Sequence, residues 1–165
     1  MSDNEKITIE LEPIGRIHTP YDDPEGMPIQ PAGAAGTEGT VTVYEPYRPG
    51  LADLEGFSHV FLLYHFHLAR GFDLRVVPFL DTQSRGLFAT RAPKRPNPIG
   101  LSVVELERIE DGVLYVRNID VLNGTPLLDI KPYAPQFDKP ENVRTGWLET
   151  SEKAVSSRKS DDRFK

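Results

Sequence analysis

Apolar and polar residues alternate with a period of two along much of the chain, as expected for β-strands with one buried face. One short helix is predicted over Pro49–Gly56, with Gly56 in the stop position. Asp111-Gly112 is a strong hairpin signal, so Leu101–Ile109 and Val113–Leu122 are expected to pair in antiparallel fashion. The alternation predicts strands over Ile7–Leu11, Ile14–His18, Thr40–Tyr44, Phe57–Leu68, Phe72–Phe79, Leu87–Thr90, Leu101–Leu106, Val113–Leu122 and Leu127–Ile130.

The segments between these strands are rich in proline. The chain has 15 prolines, which are too many helix breakers for long helices. Several short strands joined by such turns predict a mostly-β protein: a single-domain, closed or nearly closed β-barrel with few short helices. The barrel is expected over residues 14–138, with an N-terminal extension over 1–13 and a polar C-terminal extension over 139–165.

The composition excludes several classes of function. With zero cysteines, the chain has no disulfides, thiolate zinc sites, iron–sulfur clusters or cysteine nucleophiles. No apolar run approaches the ~18–20 residues of a membrane span, and Met1–Lys6 lacks the features of a signal peptide. A cytoplasmic location is therefore expected. The net charge of -6 means that any nucleic acid must meet a local basic patch, or one assembled from two chains.

The segment Ala89–Leu101 combines three prolines with three cations. Prolines fix the backbone, so Arg91, Lys94 and Arg95 are expected on a stiff loop suited to phosphate or carboxylate. Arg91 follows a predicted strand and is expected to face a cavity, whereas Lys94 and Arg95 are expected to project outwards. The alternative interpretation is a solvated basic loop.

A second segment places Asn123-Gly124, a tight-turn signal, between Asp120 and Asp129. Backbone amides at such a turn, with carboxylates nearby, could hold a ribose or an amino group. An ordinary hairpin is the alternative. No phosphate-binding P-loop and no G-x-G-x-x-G after a strand occurs, so the sequence does not support Rossmann-type nucleotide binding.

His65 and His67 are expected on one face of a strand, together with His59. A pair of this spacing can bind a metal with a third ligand from elsewhere. His59 is not that ligand, because six residues of strand span roughly 20 Å. A hydrogen-bonded cavity wall is the favoured interpretation, and a metal-dependent hydrolase built on the pair is the alternative.

Taken together, these segments resemble the TrmO family (also called YaeB or TsaA-like) of tRNA methyltransferases that use S-adenosylmethionine. The resemblance extends from about Ile14 to Pro135. It rests on Ile14-Gly15-Arg16-Ile17, Thr19-Pro20-Tyr21, Gln30-Pro31, Leu54-Glu55-Gly56-Phe57-Ser58-His59, Phe88-Ala89-Thr90-Arg91, Arg95-Pro96-Asn97-Pro98-Ile99-Gly100, Gly124-Thr125-Pro126 and Asp129-Ile130-Lys131-Pro132-Tyr133.

The resemblance implies a barrel methyltransferase without a Rossmann sheet, acting as a homodimer with the cofactor at the subunit boundary. It implies methylation of the exocyclic nitrogen of threonylcarbamoyl-adenosine, beside the anticodon of threonine tRNA, with no metal and no membrane. The implied cofactor contacts are Gln30, Pro31, Ala32, His67, Leu68, Arg91, Leu101, Asp120, Leu122, Asn123, Gly124 and Thr125.

The partner implied by the resemblance is the tRNA anticodon arm, for which Lys94, Arg95 and Lys131 are candidate contacts. The nitrogen to be methylated is weakly basic, so a side chain is expected to accept its proton. Asp120, Asp129 and His67 are candidates by residue type, and the sequence does not decide among them. Asn123 stands where many relatives carry aspartate, and the chain stops before the extra C-terminal domain of some relatives. A barrel that binds S-adenosylmethionine but acts on another substrate, or as a regulatory module, is the alternative.

Overall fold

The structure is a computed structural model that describes residues 5–23, 35–79 and 81–149. Within these residues the elements are mainly strands, which confirms the predicted mostly-β class. The strands are β1 (Gly15–His18), β2 (Glu38–Val43), β3 (His59–His65), β4 (Arg75–Val76), β5 (Arg85–Gly86), β6 (Ile99–Glu110), β7 (Val113–Arg117) and β8 (Thr125–Pro132). The α-helix α1 (Pro135–Asp138), short 3-10 helices and further α-helical residues at 147–149 complete the described elements.

Six of the strands close into a barrel in the order β1-β2-β7-β6-β3-β8, and all of their pairs are antiparallel. The predicted hairpin is present: Glu110 pairs with Val113, and the two residues between them, Asp111 and Gly112, both have positive φ. Such φ values characterise the tight turns that match the twist of antiparallel strands.

The core lies inside the barrel and is built by the alternation that the sequence shows. Along β3, every second residue is buried, and β6 repeats this pattern from Gly100 to Leu106. Side chains at such positions alternate between the two faces of a strand, so one face fills the interior. The fully buried aliphatic residues of the barrel are Ile17, Val41, Val60, Leu62, Val104, Leu114, Ile119 and Leu127.

Because neighbouring strands run in opposite directions, successive connections lie at opposite ends of the barrel. Strands β1, β3 and β7 finish at one end, where β2, β6 and β8 begin. We call this the upper end; its described connecting residues are 19–23, 35–37, 66–68, 93–98 and 118–124. The lower end carries the β6–β7 turn and the β2–β3 connection, which contains the 3-10 helices Glu45–Leu51 and Leu54–Gly56.

Several predicted elements differ in the structure. Ile7–Leu11 was expected to be a strand but is unpaired, because every strand of the closed barrel already has two neighbours. The predicted strand over Val113–Leu122 ends at Arg117, since Asn118 adopts a left-handed conformation with φ 63°. In place of the predicted helix over Pro49–Gly56 there are the two 3-10 helices, separated around Asp53, whose φ is 69°.

The chain divides into two compact units, of which the barrel unit contains residues 1–72 and 93–133. The second unit contains residues 73–92 and 134–165. In it, the predicted strand over Phe72–Phe79 is reduced to β4, which pairs with β5. The predicted strand over Leu87–Thr90 is wrong: Leu87–Ala89 is a 3-10 helix, closed by hydrogen bonds from the Thr90 amide and hydroxyl to the Leu87 carbonyl. Such local bonds from threonine compete with strand pairing.

Within the second unit, Trp147 makes a hydrogen bond and a cation–π contact. Its indole Nε1 donates a hydrogen bond to the Ala89 carbonyl at 2.8 Å, and the guanidinium of Arg85 lies 5.7 Å from the ring centroid. Arg85 also pairs with Asp81 at 2.8 Å, and this bond lowers the pKa of the Asp81 carboxyl below its ordinary value. Among residues 5–23, 35–79 and 81–149, no helix is long and apolar enough to cross a membrane.

Replacing Gly15 by alanine is expected to destabilise the barrel. A Cβ on Gly15 would overlap the Thr42 carbonyl oxygen on the paired strand β2, and neither backbone can move without breaking the ladder. We expect Gly15→Ala to reduce the free energy of unfolding in urea by about 1–3 kcal/mol. Gly56→Ala is the matched control, because a Cβ there meets nothing within 4 Å. Equal stability of the two variants would contradict this account.

Candidate functional site

The upper end of the barrel collects most of the site residues that the sequence predicts. His67 and Leu68 follow β3, and Lys94 and Arg95 precede β6. The remaining members belong to the connection between β7 and β8 or to the start of β8: Asp120, Leu122, Asn123, Gly124 and Thr125. Leu101 lies near the same end, on the outward face of β6, and is 46% exposed. Gln30, Pro31 and Ala32 lie outside the described residues.

Asn123 fastens the connection between β7 and β8 to the segment after β1. Its side-chain Oδ1 accepts a hydrogen bond from the Thr19 amide at 3.1 Å, and its Nδ2 donates to the Asp22 carboxylate at 3.0 Å. Its own amide donates to the Tyr21 carbonyl at 2.7 Å. An aspartate at this position could not donate to Asp22, so Asn123 has a structural role that requires the amide.

The turn at Gly124 is fixed from both sides. Gly124 has φ 82°, a conformation that favours glycine, and its amide donates to the Ile17 carbonyl at 2.8 Å. Two threonine hydroxyls tie down the neighbouring carbonyls: Thr19 bonds to Val121 and Thr125 bonds to Leu122, both at 2.6 Å. Hydrogen bonds within the chain therefore fix the backbone conformation of this turn.

Asp120 presents a half-buried carboxylate at the upper end. Its Oδ1 accepts a hydrogen bond from the Ser102 hydroxyl at 2.7 Å, and Ser102 in turn lies 2.8 Å from the Tyr64 hydroxyl. Sequence reasoning singled out Asp120 but missed Ser102 and Tyr64. A signal was available, because the alternation along β6 puts Ser102 among inward-facing residues, where a polar side chain needs a partner.

His67 lies in a turn after β3 and not on the strand, so the predicted shared face with His59 and His65 is wrong for this residue. Partial burial lowers the pKa of His67 below 6.5, and the positive charges of Arg16 and Arg70 act in the same direction. A hydrogen bond to the His65 backbone opposes the shift. His67 is therefore neutral in neutral solution, where it can accept a proton.

The three cations of the proline-rich segment do not belong to one element. Arg91 is an exposed residue of the second unit, and the strand expected to hold it towards a barrel cavity is absent. Lys94 and Arg95 belong to the barrel unit, where Lys94 is exposed and Arg95 is half-buried.

Asp129 and Lys131 lie within β8, farther along the strand than Thr125 at its upper end. Lys131 is six residues after Thr125, about 20 Å along a strand, and its ammonium pairs with the Asp129 carboxylate at 3.0 Å. Asp129 also lines a cavity of about 350 Å³ beside Leu51, Leu54 and other residues of the β2–β3 connection. Asp129 is therefore engaged in an ion pair, and it lies level with Leu63 and Leu101 across the sheet.

Among the described residues, no group of three or more histidine, aspartate or glutamate side chains is arranged to hold a metal ion. His65 has its cross-strand partner in Ile99, and His59 makes a hydrogen bond to the Ser58 hydroxyl at 2.8 Å. The predicted pair, His65 and His67, is therefore not part of such a group within the described residues.

Comparison with known proteins gives a consistent result. The chain matches the family profile of the tRNA-methyltransferase O N-terminal domain over residues 16–139. It is 51% identical over 152 residues to a probable S-adenosyl-L-methionine-binding protein of Pyrococcus abyssi, covering 92% of this chain and 83% of that protein. It is 36% identical over 139 residues to the human tRNA (adenine(37)-N6)-methyltransferase, covering 80% of this chain and 32% of that protein. A crystal structure of TrmO from P. aeruginosa matches with TM-score 0.74 and 40% identity, covering 89% of this chain and 64% of that one.

This domain is a β-barrel tRNA-methyltransferase domain. Its class is defined by the closed barrel together with the family match over residues 16–139. The chain belongs to the TrmO family. It spans most of the archaeal relative, just under two thirds of the matched crystal structure and about a third of the human enzyme.

His67→Gln is expected to make the protein less sensitive to mild acid. Because the pKa of folded His67 lies below 6.5, the unfolded state takes up its proton more readily than the folded state. His67 therefore reduces the free energy of unfolding as the pH falls below 6.5, and it has no such effect at higher pH. We expect urea unfolding at about pH 5 and about pH 7.5 to show a smaller acid-induced loss for His67→Gln than for the unmodified chain.

The matched control for this prediction is His18→Gln, at an exposed histidine of β1. A loss of stability on acidification that is as large in His67→Gln as in the unmodified chain would contradict the argument.

Proposed function

We propose that the protein transfers a methyl group from S-adenosylmethionine to the exocyclic nitrogen of threonylcarbamoyl-adenosine, beside the anticodon of threonine tRNA. The observation that carries this proposal is the family match over residues 16–139, which includes every described segment of the upper end. The protein is an S-adenosylmethionine-dependent tRNA methyltransferase. Because tRNA is its substrate, we place it in the cytoplasm.

The residues at the upper end fit the chemistry of this cofactor. S-adenosylmethionine carries a sulfonium and an amino group, both cationic, which carboxylate and carbonyl oxygens can hold. Asp120 supplies a carboxylate there, and the exposed side chains of Leu68 and Leu101 supply apolar surface for the adenine ring. When bound, the cofactor supplies the methyl group.

The remaining chemical task is to accept a proton from the weakly basic nitrogen. Asp120 and neutral His67 lie at the upper end, whereas Asp129 lies farther down β8 in an ion pair with Lys131. The ion pair with Lys131 therefore favours Asp120 or His67 over Asp129. We assign the acceptor role to Asp120, whose carboxylate is already oriented by the Ser102 hydroxyl.

The exposed Lys94 at the upper end is our candidate for a tRNA phosphate contact. Arg95 is half-buried and already has an interaction in the structure, so we expect it to be less available to tRNA than Lys94. Lys131 pairs with Asp129 away from the upper end, so its charge is already compensated.

We propose that the protein is a homodimer in which the outer face of β3 and β6 meets a second copy. Two cross-strand pairs on this face, Leu63 with Leu101 and Phe61 with Val103, are entirely apolar. Leu101 and Val103 are 46% and 38% exposed. Contiguous exposed apolar surface of this kind characterises interfaces between proteins. A cofactor beside Leu101 would then lie near the boundary between the subunits.

A second candidate function is a barrel that binds S-adenosylmethionine but acts on another substrate. It is favoured by the archaeal relatives, of which those from Pyrococcus abyssi and Archaeoglobus fulgidus are named for cofactor binding alone. The two candidate functions share the cofactor and differ in whether tRNA is methylated.

Incubation with tRNA and S-adenosylmethionine is expected to add one methyl group to the modified adenosine. Mass spectrometry of the nucleosides should show this only for threonine tRNA that already carries threonylcarbamoyl-adenosine, and not for the same tRNA without it. Methylation of unmodified adenosine would contradict the proposed substrate. Cofactor binding in calorimetry without methylation of any tRNA would favour the second candidate.

Lys94→Ala is expected to weaken tRNA binding and make it less dependent on salt. Loss of one phosphate contact should reduce the slope of log affinity against log salt by about one unit. Lys131→Ala is the matched control, because this lysine is also exposed but pairs with Asp129 away from the upper end. Equal changes in both variants would show that tRNA does not approach through the upper end.

Val103→Glu is expected to convert the dimer into a monomer, because it places a charge within the apolar outer face of β6. Sedimentation equilibrium measures the mass directly. Thr42→Glu introduces the same charge at an outward position of β2 and should leave the dimer intact. A monomeric unmodified protein at micromolar concentration that methylates tRNA at full rate would overturn the dimer proposal.

A further inference from the structure

A chain of hydrogen bonds at the upper end of the barrel has a fixed direction. An ionised carboxylate only accepts hydrogen bonds, so the single hydroxyl hydrogen of Ser102 is committed to Asp120 Oδ1 at 2.7 Å. The contact of 2.8 Å between Tyr64 and Ser102 then requires Tyr64 to be the donor. The order of donation is Tyr64 to Ser102 to Asp120.

This chain leads from the core of the barrel to the site. Tyr64 and Ser102 are only 5% and 4% exposed, whereas Asp120 is half-buried. The three residues come from β3, β6 and the connection after β7, which are neighbouring elements of the barrel. Hydrogen bonds in such a dry setting are hard to exchange for water, so they hold their members in one arrangement.

The ring of Tyr64 is held in place by its neighbours. Gly100 pairs with Tyr64 across β3 and β6, and a Cβ on Gly100 would overlap the tyrosine ring. Phe66 packs edge-on against the same ring, with centroids 5.4 Å apart and an angle of 84°. Gly100 thus leaves the space that the Tyr64 ring needs to reach Ser102.

The bond to Ser102 occupies one oxygen of Asp120 and leaves the other for a ligand. Within the described residues, Asp120 has no hydrogen bond or ion pair besides the one from Ser102. A half-buried carboxylate oxygen of this kind is a strong acceptor for an N–H group.

We propose that Ser102 and Tyr64 are positioning residues, which hold Asp120 Oδ1 so that Oδ2 accepts an N–H group of the bound ligand. This inference rests on the proposed function for the identity of the ligand. The N–H group belongs either to the cofactor's amino group or to the nitrogen to be methylated, and the two sources share the same hydrogen-bond chemistry.

A double-mutant cycle tests this inference. The variants are Ser102→Ala, Asp120→Asn and their combination, with S-adenosylmethionine affinity measured by calorimetry and kcat and KM measured on tRNA. Each single variant should lower cofactor affinity or kcat by about tenfold, because a charge-assisted bond is lost or misplaced. The combination should be no worse than Asp120→Asn alone, since Ser102 acts only through the carboxylate.

The outcome also identifies the source of the N–H group. A change confined to cofactor affinity assigns the bond to the amino group of S-adenosylmethionine. A change confined to kcat, with unchanged cofactor affinity and KM, assigns it to the nitrogen of the tRNA substrate. Additive losses in the combined variant, or unchanged affinity and kcat in Ser102→Ala, would overturn the proposal.

Two further variants separate positioning from stability. Tyr64→Phe removes one hydroxyl, keeps the ring and should show a smaller loss than Ser102→Ala, because the bond from Ser102 to Asp120 remains. Ser102→Thr keeps the hydroxyl and should restore affinity and rate even if it melts earlier. Losses in Ser102→Thr that match those of Ser102→Ala would contradict a role for the hydroxyl.

A measurement without ligand keeps the test independent of the proposed function. In the full chain labelled with ¹³C at aspartate carboxyls, the Asp120 resonance should shift in Ser102→Ala. It should not shift in Ser58→Ala, which removes a hydroxyl bonded to His59. An unmoved Asp120 resonance in Ser102→Ala would refute the positioning role. If this resonance moves but no tRNA is methylated by the unmodified protein, only the proposed function fails.

Discussion

Closure of the six-stranded sheet is the constraint on which the other features of the barrel unit depend. Strand β8 pairs with β1 through Ile17 and Thr125 and with β3 through Tyr64 and Leu127, so the sheet has no free edge. All pairs around the ring are antiparallel, and the resulting alternation of strand direction brings three connections to the upper end. Residues distant in sequence, such as Thr19 and Asn123, become hydrogen-bond partners there as a direct result.

The alternating pattern was enough to predict the class of fold and most of the barrel strands, because a strand with one buried face alternates between apolar and polar residues. It failed where a hydrogen-bond partner decides the structure. Ile7–Leu11 has the pattern of a strand, yet the closed barrel offers no edge to pair with it. Leu87–Ala89 is apolar too, but a threonine hydroxyl closes it into a 3-10 helix. Neither outcome depends on hydrophobicity, so neither could be predicted from it.

The candidate site was predictable to a similar degree. Turn chemistry and motif resemblance located Asp120, Asn123 and Gly124, because these residues lie close together in the sequence. The partners of Asp120 were missed because they come from other strands: Ser102 is 18 residues away, and Tyr64 is another 38 residues from Ser102. Strand register fixes these neighbours, and register emerges only when the barrel closes. The same register separates Lys131 from the upper end, although it follows the site motif closely in sequence.

The upper end is ordered by its own hydrogen bonds, and this has a consequence for binding. Asn123 joins two connections, Gly124 is tied to Ile17, and Asp120 is held through Ser102. The described loop residues held in this way lose little conformational freedom when a ligand arrives, so more of the contact free energy remains as affinity. The closed barrel thus supplies rigidity to loops that would otherwise have to be ordered by the ligand. In a chain with a net charge of -6, the barrel can therefore present the Asp120 carboxylate and the Lys94 ammonium at the same end.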